Sequence, residues 1–340
     1  MDIAGCPNRC RHCWLGHEKN PRTSMDDYQW VAGQFKGYRL NGSTYFDDLI
    51  FNSWYREPDY ADNYKELWEL DKSLSTSPPP RFELASIWRL ARDESYAPWL
   101  KSLGVDVVQV TLFGGQENTD YFSGRKGAFN DIVKSFDILI NNKIAPRVQI
   151  FVYQTNVSGL INIVPLLRDV EARLGFSLDC YVTISDPMGA GYDLEDIRVT
   201  KEDLLKLPGY LVEKTMRNKG IDEFSDIWKE ERELLPGLTE DNAPPNDEPD
   251  ILAFMVSGDF NVYPNSGEIA PYACLGNLKS DGINAVMDNF INRKTQSLKL
   301  NHETPVSYFA KKYGDSNGIK LTDRYDLCKK WIRKEAAAKL

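Results

Sequence analysis

The segment GCPNRCRHCW (Gly5–Trp14) brings three of the chain's six cysteines into eight consecutive positions, in the spacing C-x-x-x-C-x-x-C: Cys6, Cys10 and Cys13. Thiolates are soft ligands that bind iron–sulfur clusters, zinc or copper. A structural zinc site needs four ligands, and the fourth would have to be His12, His17 or a distant residue. A cubane cluster on three cysteines leaves one iron open to another ligand. The spacing therefore favours an iron–sulfur cluster, with zinc or three buried thiols as alternatives.

The composition is that of a folded, acidic protein with one large domain, or one domain and a smaller appendage. The 340 residues are 42% hydrophobic and 27% charged, with a net charge of −9. An acidic chain is a poor nucleic-acid binder, because neutralising phosphates supplies most of that affinity. No apolar run reaches the roughly 18 residues of a membrane span, and no secretory signal is recognisable. We expect a cytoplasmic protein that binds neither nucleic acid nor membranes.

The other three cysteines, Cys180, Cys274 and Cys328, are scattered through the chain. Disulfide-rich domains instead have dense, regularly spaced cysteines. We therefore expect free thiols in a reducing compartment.

Strand-like and helix-like segments alternate through the first half of the chain. Buried parallel strands are typically continuous β-branched runs, and amphipathic helices have apolar residues at three- to four-residue intervals. The predicted strands are one just before Cys6, then Asp47–Tyr60, Arg81–Trp88, Asp106–Gly115, Ala145–Asn156 and Ser177–Ser185. The predicted helices are Ala61–Leu74, Asp93–Val105, Lys126–Asn142 and Ile163–Phe176. This order predicts parallel strands with right-handed connections and functional groups at the strands' carboxyl ends.

The motif CPNRCRHC resembles the C-x-x-x-C-x-φ-C signature of the radical S-adenosylmethionine (radical SAM) superfamily, with His12 as the ring residue before the last cysteine. The resemblance implies a [4Fe–4S] cluster on the three cysteines, with the amino and carboxylate groups of SAM on the fourth iron. An external flavodoxin- or ferredoxin-type donor would supply an electron that cleaves SAM to methionine and a 5′-deoxyadenosyl radical. That radical abstracts a hydrogen atom from the substrate. The implied fold is α/β, a partial (β/α)6 barrel.

Further segments resemble parts of the SAM site in this family. WYREPDY resembles the "GGEP" segment, whose acidic residue, here Glu57, receives the SAM ammonium group, although Tyr55 and Arg56 replace both glycines. TLFGGQENTDYFSGRKGAF (Thr111–Phe129) resembles a segment in which a hydroxyl group, here of Thr111, contacts SAM. The alternatives are a solvated turn at Glu57 and an ordinary strand residue at Thr111.

The resemblance suggests three more contacts with the cofactors. Arg147, in a predicted strand, would bind the SAM carboxylate, because a guanidinium group grips a carboxylate with two hydrogen bonds. Asn156 would reach the ribose, and His12 would contact SAM or the cluster. A buried cation needs a partner, so Arg147 in an apolar strand requires an anion in any case. The alternative role of His12 is packing alone.

The second half of the chain predicts a connector and a smaller domain. Leu235–Asp250 is rich in Pro, Asp and Asn and predicts a solvated linker. Asp250–Phe290 resembles the α+β SPASM/twitch extension of many radical SAM enzymes, whose cysteines bind auxiliary clusters. Here Asn265 follows Pro264 where a cysteine is expected, so we predict no auxiliary cluster. The predicted domains are 1–205 (partial barrel), 206–250 (helical connector and linker) and 251–340 (SPASM/twitch-like extension).

The lone cysteines of the extension have two interpretations. A free cysteine is usually a small buried hydrophobic residue. By resemblance to radical epimerases, Cys274 or Cys328 would instead donate a hydrogen atom to a substrate radical. Thr304–Ile332 predicts two amphipathic helices around a turn.

These observations lead to one main hypothesis with two alternatives. The main hypothesis is a radical SAM enzyme acting on a small metabolite, a sugar or amino-acid derivative in natural-product biosynthesis, as an epimerase, dehydratase or dehydrogenase. It favours a small molecule because only five residues precede Cys6, too few for a leader-peptide-binding domain. The alternatives are modification of a ribosomally made peptide, and a non-catalytic iron–sulfur or zinc protein.

Overall fold

The computed structural model describes residues 1–13, 15, 19–20, 23–81, 83–184, 188–189, 192–246, 251–264 and 269–338. The α-helices are α1 Met25–Gly37, α2 Tyr64–Leu74, α3 Ile87–Leu90, α4 Tyr96–Ser102, α5 Gln116–Ser123, α6 Ala128–Asn141, α7 Val164–Leu174, α8 Lys201–Leu204, α9 Gly209–Lys219, α10 Glu231–Glu240, α11 Gly282–Ile291, α12 Gln296–His302, α13 Val306–Tyr313 and α14 Arg324–Ala337. Short 3-10 helices are Val157–Ile163, Glu195–Ile197, Phe224–Asp226 and Pro271–Ala273.

The strands form one parallel sheet and several antiparallel pairings. They are β1 Arg39–Leu40, β2 Ser43–Thr44, β3 Val107–Leu112, β4 Ala145–Phe151, β5 Asp179–Thr183, β6 Met188–Gly189, β7 Tyr192–Asp193, β8 Lys229–Glu230, β9 Phe254–Val256, β10 Asn261–Pro264, β11 Gly276–Asn277 and β12 Leu321–Thr322. The parallel sheet has the order β3-β4-β5, and an antiparallel sheet has the order β11-β10-β9. The remaining pairs are β1-β2, β6-β7 and β12-β8.

The parallel sheet has one apolar and one polar face. Side chains alternate between the two faces of a strand. The apolar set is fully buried and belongs to the main hydrophobic core: Val108, Val110, Leu112, Val148 and Ile150. The opposite face is half-exposed and carries Gln109, Thr111, Arg147, Gln149 and Thr183. This one-sided polarity makes the second face a candidate surface for ligands.

Helix α9 covers the edge of the parallel sheet at β5. The Thr215 hydroxyl accepts a hydrogen bond from the backbone N–H of Val182 at 2.9 Å and donates one to the Leu211 carbonyl at 2.7 Å. An uncovered edge strand presents unpaired backbone groups that template aggregation. The helix therefore takes the position that a further strand would occupy.

The strongly patterned elements match the sequence predictions. The predicted strands at 106–115, 145–156 and 177–185 correspond to β3, β4 and β5, although Ser185 lies outside the described residues. The four predicted helices correspond to α2, α4, α6 and α7, and the two in the tail to α13 and α14. The helices α1 and α5 lie in segments for which the sequence pattern made no helix prediction.

The predicted strand at Asp47–Tyr60 is wrong, because no helix or strand occurs there. Its backbone N–H groups bond to hydroxyls rather than to a neighbouring strand. Leu49 donates to Thr76 Oγ1 at 2.7 Å, and Phe51 donates to Ser75 Oγ at 2.9 Å. Side-chain hydroxyls thus replace the ladder that would define a strand.

Two other predicted strands are also absent from the described residues. The residues before Cys6 make scattered backbone bonds, from the Met1 amine to Asn52 O at 2.6 Å, from Ile3 N to Ser53 O at 3.1 Å and from Asp2 N to Val256 O at 3.2 Å, without forming a ladder. The segment 81–88, in which residue 82 is not described, contributes to the parallel sheet one backbone bond among its described residues, from Gln109 N to Glu83 O at 2.7 Å. Ser86 then caps α3, because its hydroxyl accepts from the Arg89 N–H at 3.2 Å.

The predicted linker at Leu235–Asp250 is wrong over its first part, which continues α10 to Glu240. The following residues are tied to the C-terminal helices. Val306 N donates to Ala243 O at 2.9 Å, and Asn246 N donates to Asn301 O at 3.1 Å. Backbone hydrogen bonds of this kind anchor the segment, and residues 247–250 lie outside the described residues.

The C-terminal region shares a hydrophobic core with the start of the chain. One cluster combines two groups that lie far apart in sequence: Met1, Ile3, Tyr28, Val31 and Phe51, with Val256, Val262, Leu275, Val286 and Met287. A separate cluster joins α10, α12, α13 and α14. The cores therefore cut across the predicted domain boundaries, which remain predictions. Among the described residues, none of the helices combines the length and the apolar character that a bilayer crossing requires.

We expect Thr215→Val to lower the free energy of unfolding by about 1–3 kcal/mol, because it leaves the buried N–H of Val182 without an acceptor. Urea unfolding followed by circular dichroism measures the difference. Thr44→Val, at an exposed position in β2, is the matched control and should change stability by less than about 0.5 kcal/mol. Equal stability of wild type and Thr215→Val would contradict this account of the sheet edge.

Candidate functional site

The loop that carries the three cysteines (the cysteine loop, Gly5–Cys13) is attached to the end of α5. Backbone N–H groups of Arg9 and Arg11 donate to the carbonyls of Ser123 and Phe122, at 2.9 and 2.8 Å. Because α5 follows β3 directly, these bonds seat the cysteine loop near the carboxyl ends of the parallel strands. Functional groups of parallel α/β folds gather at that end.

Gly124 permits the close approach between the cysteine loop and α5. Its φ of 62° lies in the left-handed region, and a Cβ there would lie 2.3 Å from the Arg9 carbonyl oxygen. Asp120 closes the turn that follows, since its carboxylate accepts from Gly127 N at 2.7 Å and from Phe129 N at 2.9 Å. Only glycine satisfies both the backbone angle and the lack of space at this position.

A second clamp holds the cysteine loop at Cys6. The Asn20 side chain accepts from Cys6 N at 3.1 Å and donates to Cys6 O at 3.2 Å. Gly5 has a φ of 81°, and a Cβ on it would collide with the Asn20 side chain. One amide thus fixes both backbone groups of the first cysteine.

The thiols are half-buried and lie within one another's electrostatic influence. Burial, followed by nearby Glu57, raises the pKa of Cys6 far above its ordinary value. Burial, followed by Cys13, raises the pKa of Cys10 to about 12. Metal binding requires thiolates and so releases these protons. The three cysteines are thus brought together in the fold.

Glu57 lies beside the first cysteine. Its Oε2 is 4.0 Å from Cys6 Sγ. Burial raises the pKa of Glu57 to about 7, while a hydrogen bond from Ser86 and the charge of Arg125 act in the opposite direction. A cation that binds beside this buried carboxyl group would stabilise its ionised form and lower its pKa.

His12 packs on aromatic residues at the ends of two neighbouring strands. Its ring centroid lies 5.0 Å from that of Phe113, which follows β3, and 4.5 Å from that of Phe151, which ends β4. Burial lowers the pKa of His12 to about 4, so the ring is neutral at physiological pH. His12 Nδ1 is buried, and no hydrogen-bond partner for it occurs among the described residues. Such an atom is costly unless a bound group satisfies it.

Asn156 ties together the strand ends on which His12 rests. Its Nδ2 donates to the carbonyls of Phe113 and Phe151, both at 2.9 Å, and its Oδ1 accepts from Tyr153 N at 2.8 Å. The side chain is fully buried. All its main hydrogen-bonding capacity is therefore used in holding β3 and β4, and its contact with a ribose remains a prediction.

Thr111 and Arg147 both lie on the polar face of the sheet, at different heights. Thr111 is the last but one residue of β3 and lies close to the strand end. Arg147 lies in the first half of β4 and pairs with Asp179 at 2.6 Å and with Glu83. The guanidinium group therefore already has carboxylate partners, and its binding of SAM remains a prediction.

Hydrogen bonds link neutral groups across the polar face. Gln109 Nε2 donates to Gln149 Oε1 at 3.0 Å, and Gln149 Nε2 donates to Thr183 Oγ1 at 3.1 Å. The Tyr181 hydroxyl donates to Gln109 Oε1 at 3.3 Å. This row of amides and hydroxyls suits a ligand with hydrogen-bonding groups.

Of the two candidate hydrogen-atom donors, Cys274 lies near the cysteine loop and Cys328 does not. Cys274 and Cys13 both pack against the small cluster of Leu15, Met255, Tyr263 and Ala273. Cys328 is buried on α14 among aliphatic and aromatic residues of the C-terminal helices. The surroundings of Cys328 are those of a structural thiol.

The donor set fits an iron–sulfur cluster. Three thiols on one clamped loop supply soft ligands, and the same loop carries His12, whose buried Nδ1 has no partner within the described part of the chain. In the described part of the chain, no three His, Cys, Asp or Glu side chains are grouped as ligands of a single metal ion. A cubane places each cysteine on a different iron, so its ligands need not converge on one point. His17, the other proposed zinc ligand, lies outside the described residues.

Several residues of this site were not anticipated from the sequence. They are Asn8, Asn20, Ser86, Asp120, Gly124 and Arg125. In the segment DYFSGRKGAF, the glycines and Asp120 could have predicted the turn after α5. Asn8 and Asn20 could not have been predicted in this way, because their partners are distant in sequence.

No protein-family model and no curated protein matches the sequence. Among solved structures, "Native anSMEcpe with bound AdoMet and Kp18Cys peptide" is 14% identical, with a TM-score of 0.48 over 99% of this chain and 96% of that one. "Native anSMEcpe with bound AdoMet and Cp18Cys peptide" is 13% identical, with a TM-score of 0.49 over the same shares. Similarity at this level does not assign an activity, which has to be inferred from this chain's own residues.

We expect Gly124→Ala to push the cysteine loop away from α5 and to destabilise the protein by about 1–3 kcal/mol, because the new methyl group meets the Arg9 carbonyl. Faster alkylation of Cys6, Cys10 and Cys13, measured by mass spectrometry, would report the displacement. Gly33→Ala on α1, where a Cβ meets nothing, is the control and should be neutral or stabilising by about 0.5–1 kcal/mol. Wild-type alkylation rates in Gly124→Ala would refute the close-approach argument.

Proposed function

We propose that this chain is a radical SAM enzyme. The observation that carries the proposal is the seating of three thiols on one clamped loop at the carboxyl ends of β3 and β4, with Glu57 4.0 Å from Cys6. Cys6, Cys10 and Cys13 would hold a [4Fe–4S] cluster with one open iron. When bound, this cluster supplies the electron that cleaves SAM to methionine and a 5′-deoxyadenosyl radical.

The chain's own residues would bind SAM and orient it. Glu57 would accept the SAM ammonium group, and its burial-raised pKa makes an incoming cation favourable. Arg56 stands where the family motif has a glycine. Its guanidinium group pairs with Asp2, to which its Nε donates at 2.5 Å. His12 would fix one side of the cofactor through Nδ1, and Thr111 would offer its hydroxyl at the end of β3.

We further propose that the fold is a partial (β/α)6 barrel with a SPASM/twitch-like extension lacking an auxiliary cluster. Backbone bonds join the segment before Cys6 to the segment 47–60 (Ile3 N to Ser53 O) and the segment 81–88 to β3 (Gln109 N to Glu83 O), which supports a barrel that continues beyond the β3 edge of the parallel sheet. The antiparallel β9–β11 sheet followed by α11 supports the extension.

The proposed substrate is a small polar metabolite that binds over the polar face of the sheet. The linked side chains of Gln109, Gln149 and Thr183 offer neutral donors and acceptors, which suit hydroxyl or amide groups. Transfer of deuterium from a labelled sugar or amino-acid derivative into 5′-deoxyadenosine would identify the class. Transfer from a labelled peptide alone would instead indicate a peptide-modifying enzyme.

We expect alanine at Cys6, Cys10 and Cys13 together to abolish iron binding and 5′-deoxyadenosine formation, because no thiolates remain to hold the cluster. Iron analysis and chromatography after anaerobic reconstitution with SAM and dithionite measure both. Wild type should bind about four irons per chain, as one cubane requires. Cys180→Ala, at a buried thiol of β5, is the control and should retain both properties.

One result would overturn the enzyme assignment, and a second would overturn the assignment of the cluster to these cysteines. A colourless wild-type protein with one tightly bound zinc would support the non-catalytic alternative. Persistence of 5′-deoxyadenosine in the triple variant would show that these cysteines do not hold the cluster. About eight irons per chain would reject only the absence of an auxiliary cluster.

We propose Cys274 as the hydrogen-atom donor, because it packs against the same cluster as Cys13. Its S–H bond would break and a substrate C–H bond would form. The thiyl radical left behind would take one electron from the external donor and one proton from solvent.

We expect Cys274→Ala to form 5′-deoxyadenosine at a near wild-type rate but to release less than about a tenth of the product, because the substrate radical is not quenched. The ratio of product to 5′-deoxyadenosine measures the effect. Cys328→Ala is the matched control, since its thiol is buried among the C-terminal helices. An unchanged ratio in Cys274→Ala would exclude its role as donor.

A further inference from the structure

We propose that Arg125 is a positioning residue that raises the reduction potential of the cluster on the cysteine loop, by holding a largely buried positive charge against that loop. The inference rests on the proposed function. Arg125 lies in the turn after α5 and is not one of the residues proposed to bind SAM, namely His12, Glu57, Thr111, Arg147 and Asn156.

The guanidinium group of Arg125 is fixed from two sides. Its Nε donates to Asn8 Oδ1 at 2.7 Å, and its Nη1 donates to Asp131 Oδ2 at 2.6 Å. Only 17% of the side chain is exposed. Asn8 lies between the first two cysteines, and its backbone N–H points at Cys6 Sγ from 3.4 Å. One residue therefore connects the cation to a thiol.

Of the loop's own arginines, Arg9 folds back on the loop backbone, since its Nη1 donates to the carbonyls of Cys6 and Asn8 at 2.9 and 2.8 Å. Arg11 lies 4.0 Å over the Tyr121 ring. Arg125 is the cation that reaches the loop from the turn after α5, through the side chain of Asn8.

Asp131 does not cancel the charge of Arg125, because Arg92 binds the same carboxylate. Arg92 Nη1 lies 2.9 Å from Asp131 Oδ2, the oxygen that Arg125 also contacts. Two guanidinium groups around one carboxylate leave a local excess of positive charge. Arg92 is the more exposed of the two, with 43% of its side chain exposed against 17% for Arg125, and it is Arg125 whose Nε binds Asn8.

A buried cation next to a redox centre stabilises the reduced form. Reduction adds one negative charge to the cluster, and net charge and hydrogen bonds to sulfur set the potential of such centres. The attraction is strong where water is excluded. The chain's own residues thus favour arrival of the electron that the proposed reaction needs.

The test compares Arg125→Gln with Arg92→Gln, which removes a charge from the same carboxylate. Redox titration monitored by electron paramagnetic resonance measures the midpoint potential, and iron analysis measures loading. In Arg125→Gln we expect the ratio of reduced to oxidised cluster at a fixed potential to fall about tenfold, which corresponds to a midpoint potential lower by about 59 mV for one electron. Arg92→Gln should lower the midpoint potential by less than half as much. Arg125→Lys keeps the charge, so its midpoint potential should stay near that of wild type.

A fully loaded Arg125→Gln cluster with the wild-type potential would overturn the inference, while the proposed function would stand. If Arg125→Gln does not load, Asp131→Asn decides, since it removes the opposing charge and must raise the potential; an unchanged or lower value overturns the inference. A wild-type protein without a cluster would instead overturn the proposed function.

Discussion

The close contact between the backbones of the cysteine loop and the end of α5 is the constraint on which the site depends. The cysteine loop has no regular secondary structure, and its internal hydrogen bonds, such as Cys13 N to Cys10 O at 3.1 Å, do not attach it to the rest of the fold. Two N–H···O bonds to Phe122 and Ser123 supply that attachment, and Gly124 makes them possible by having no side chain. Asn20 adds a second anchor at Cys6. The geometry of the thiols is therefore imposed by residues that are not themselves ligands.

The parts of the fold that could be predicted from the sequence are those with a strong local pattern. The β-branched run of β3 and the apolar spacing of α6 dictate their structure without knowledge of the partners. The segment 47–60 has an apolar centre of the same kind, yet hydroxyls of Ser75 and Thr76 take its backbone bonds. That outcome depends on where α2 ends, which periodicity does not specify.

The same distinction applies to the site. The cysteine triplet is a local pattern that the sequence alone displays, and the structure places Glu57 4.0 Å from its first thiol. Arg125 and Asn8 are 117 residues apart, and each is ordinary in its own segment. The sequence predicts that Asn156 contacts a ribose, which remains a prediction, whereas in the structure its amide holds β3 to β4. The position of Asn156 after a strand follows from the local pattern, but its hydrogen-bond partners required the structure.

The polar groups of the site fall into two sets with opposite energetics. Asn156 and Thr119 are buried and fully hydrogen-bonded within the chain, so they form a rigid frame at the strand ends. The thiols of Cys6 and Cys10, the carboxyl group of Glu57 and the ring of His12 instead pay for their burial, as their displaced pKa values show. Buried groups under this penalty persist only where the surrounding structure enforces them. A soft metal centre would offset the cost of burying the thiols, and a cation beside Glu57 would offset the cost of burying its carboxylate. The rigid frame and these buried groups together favour a ligand that supplies both a soft metal centre and a positive charge.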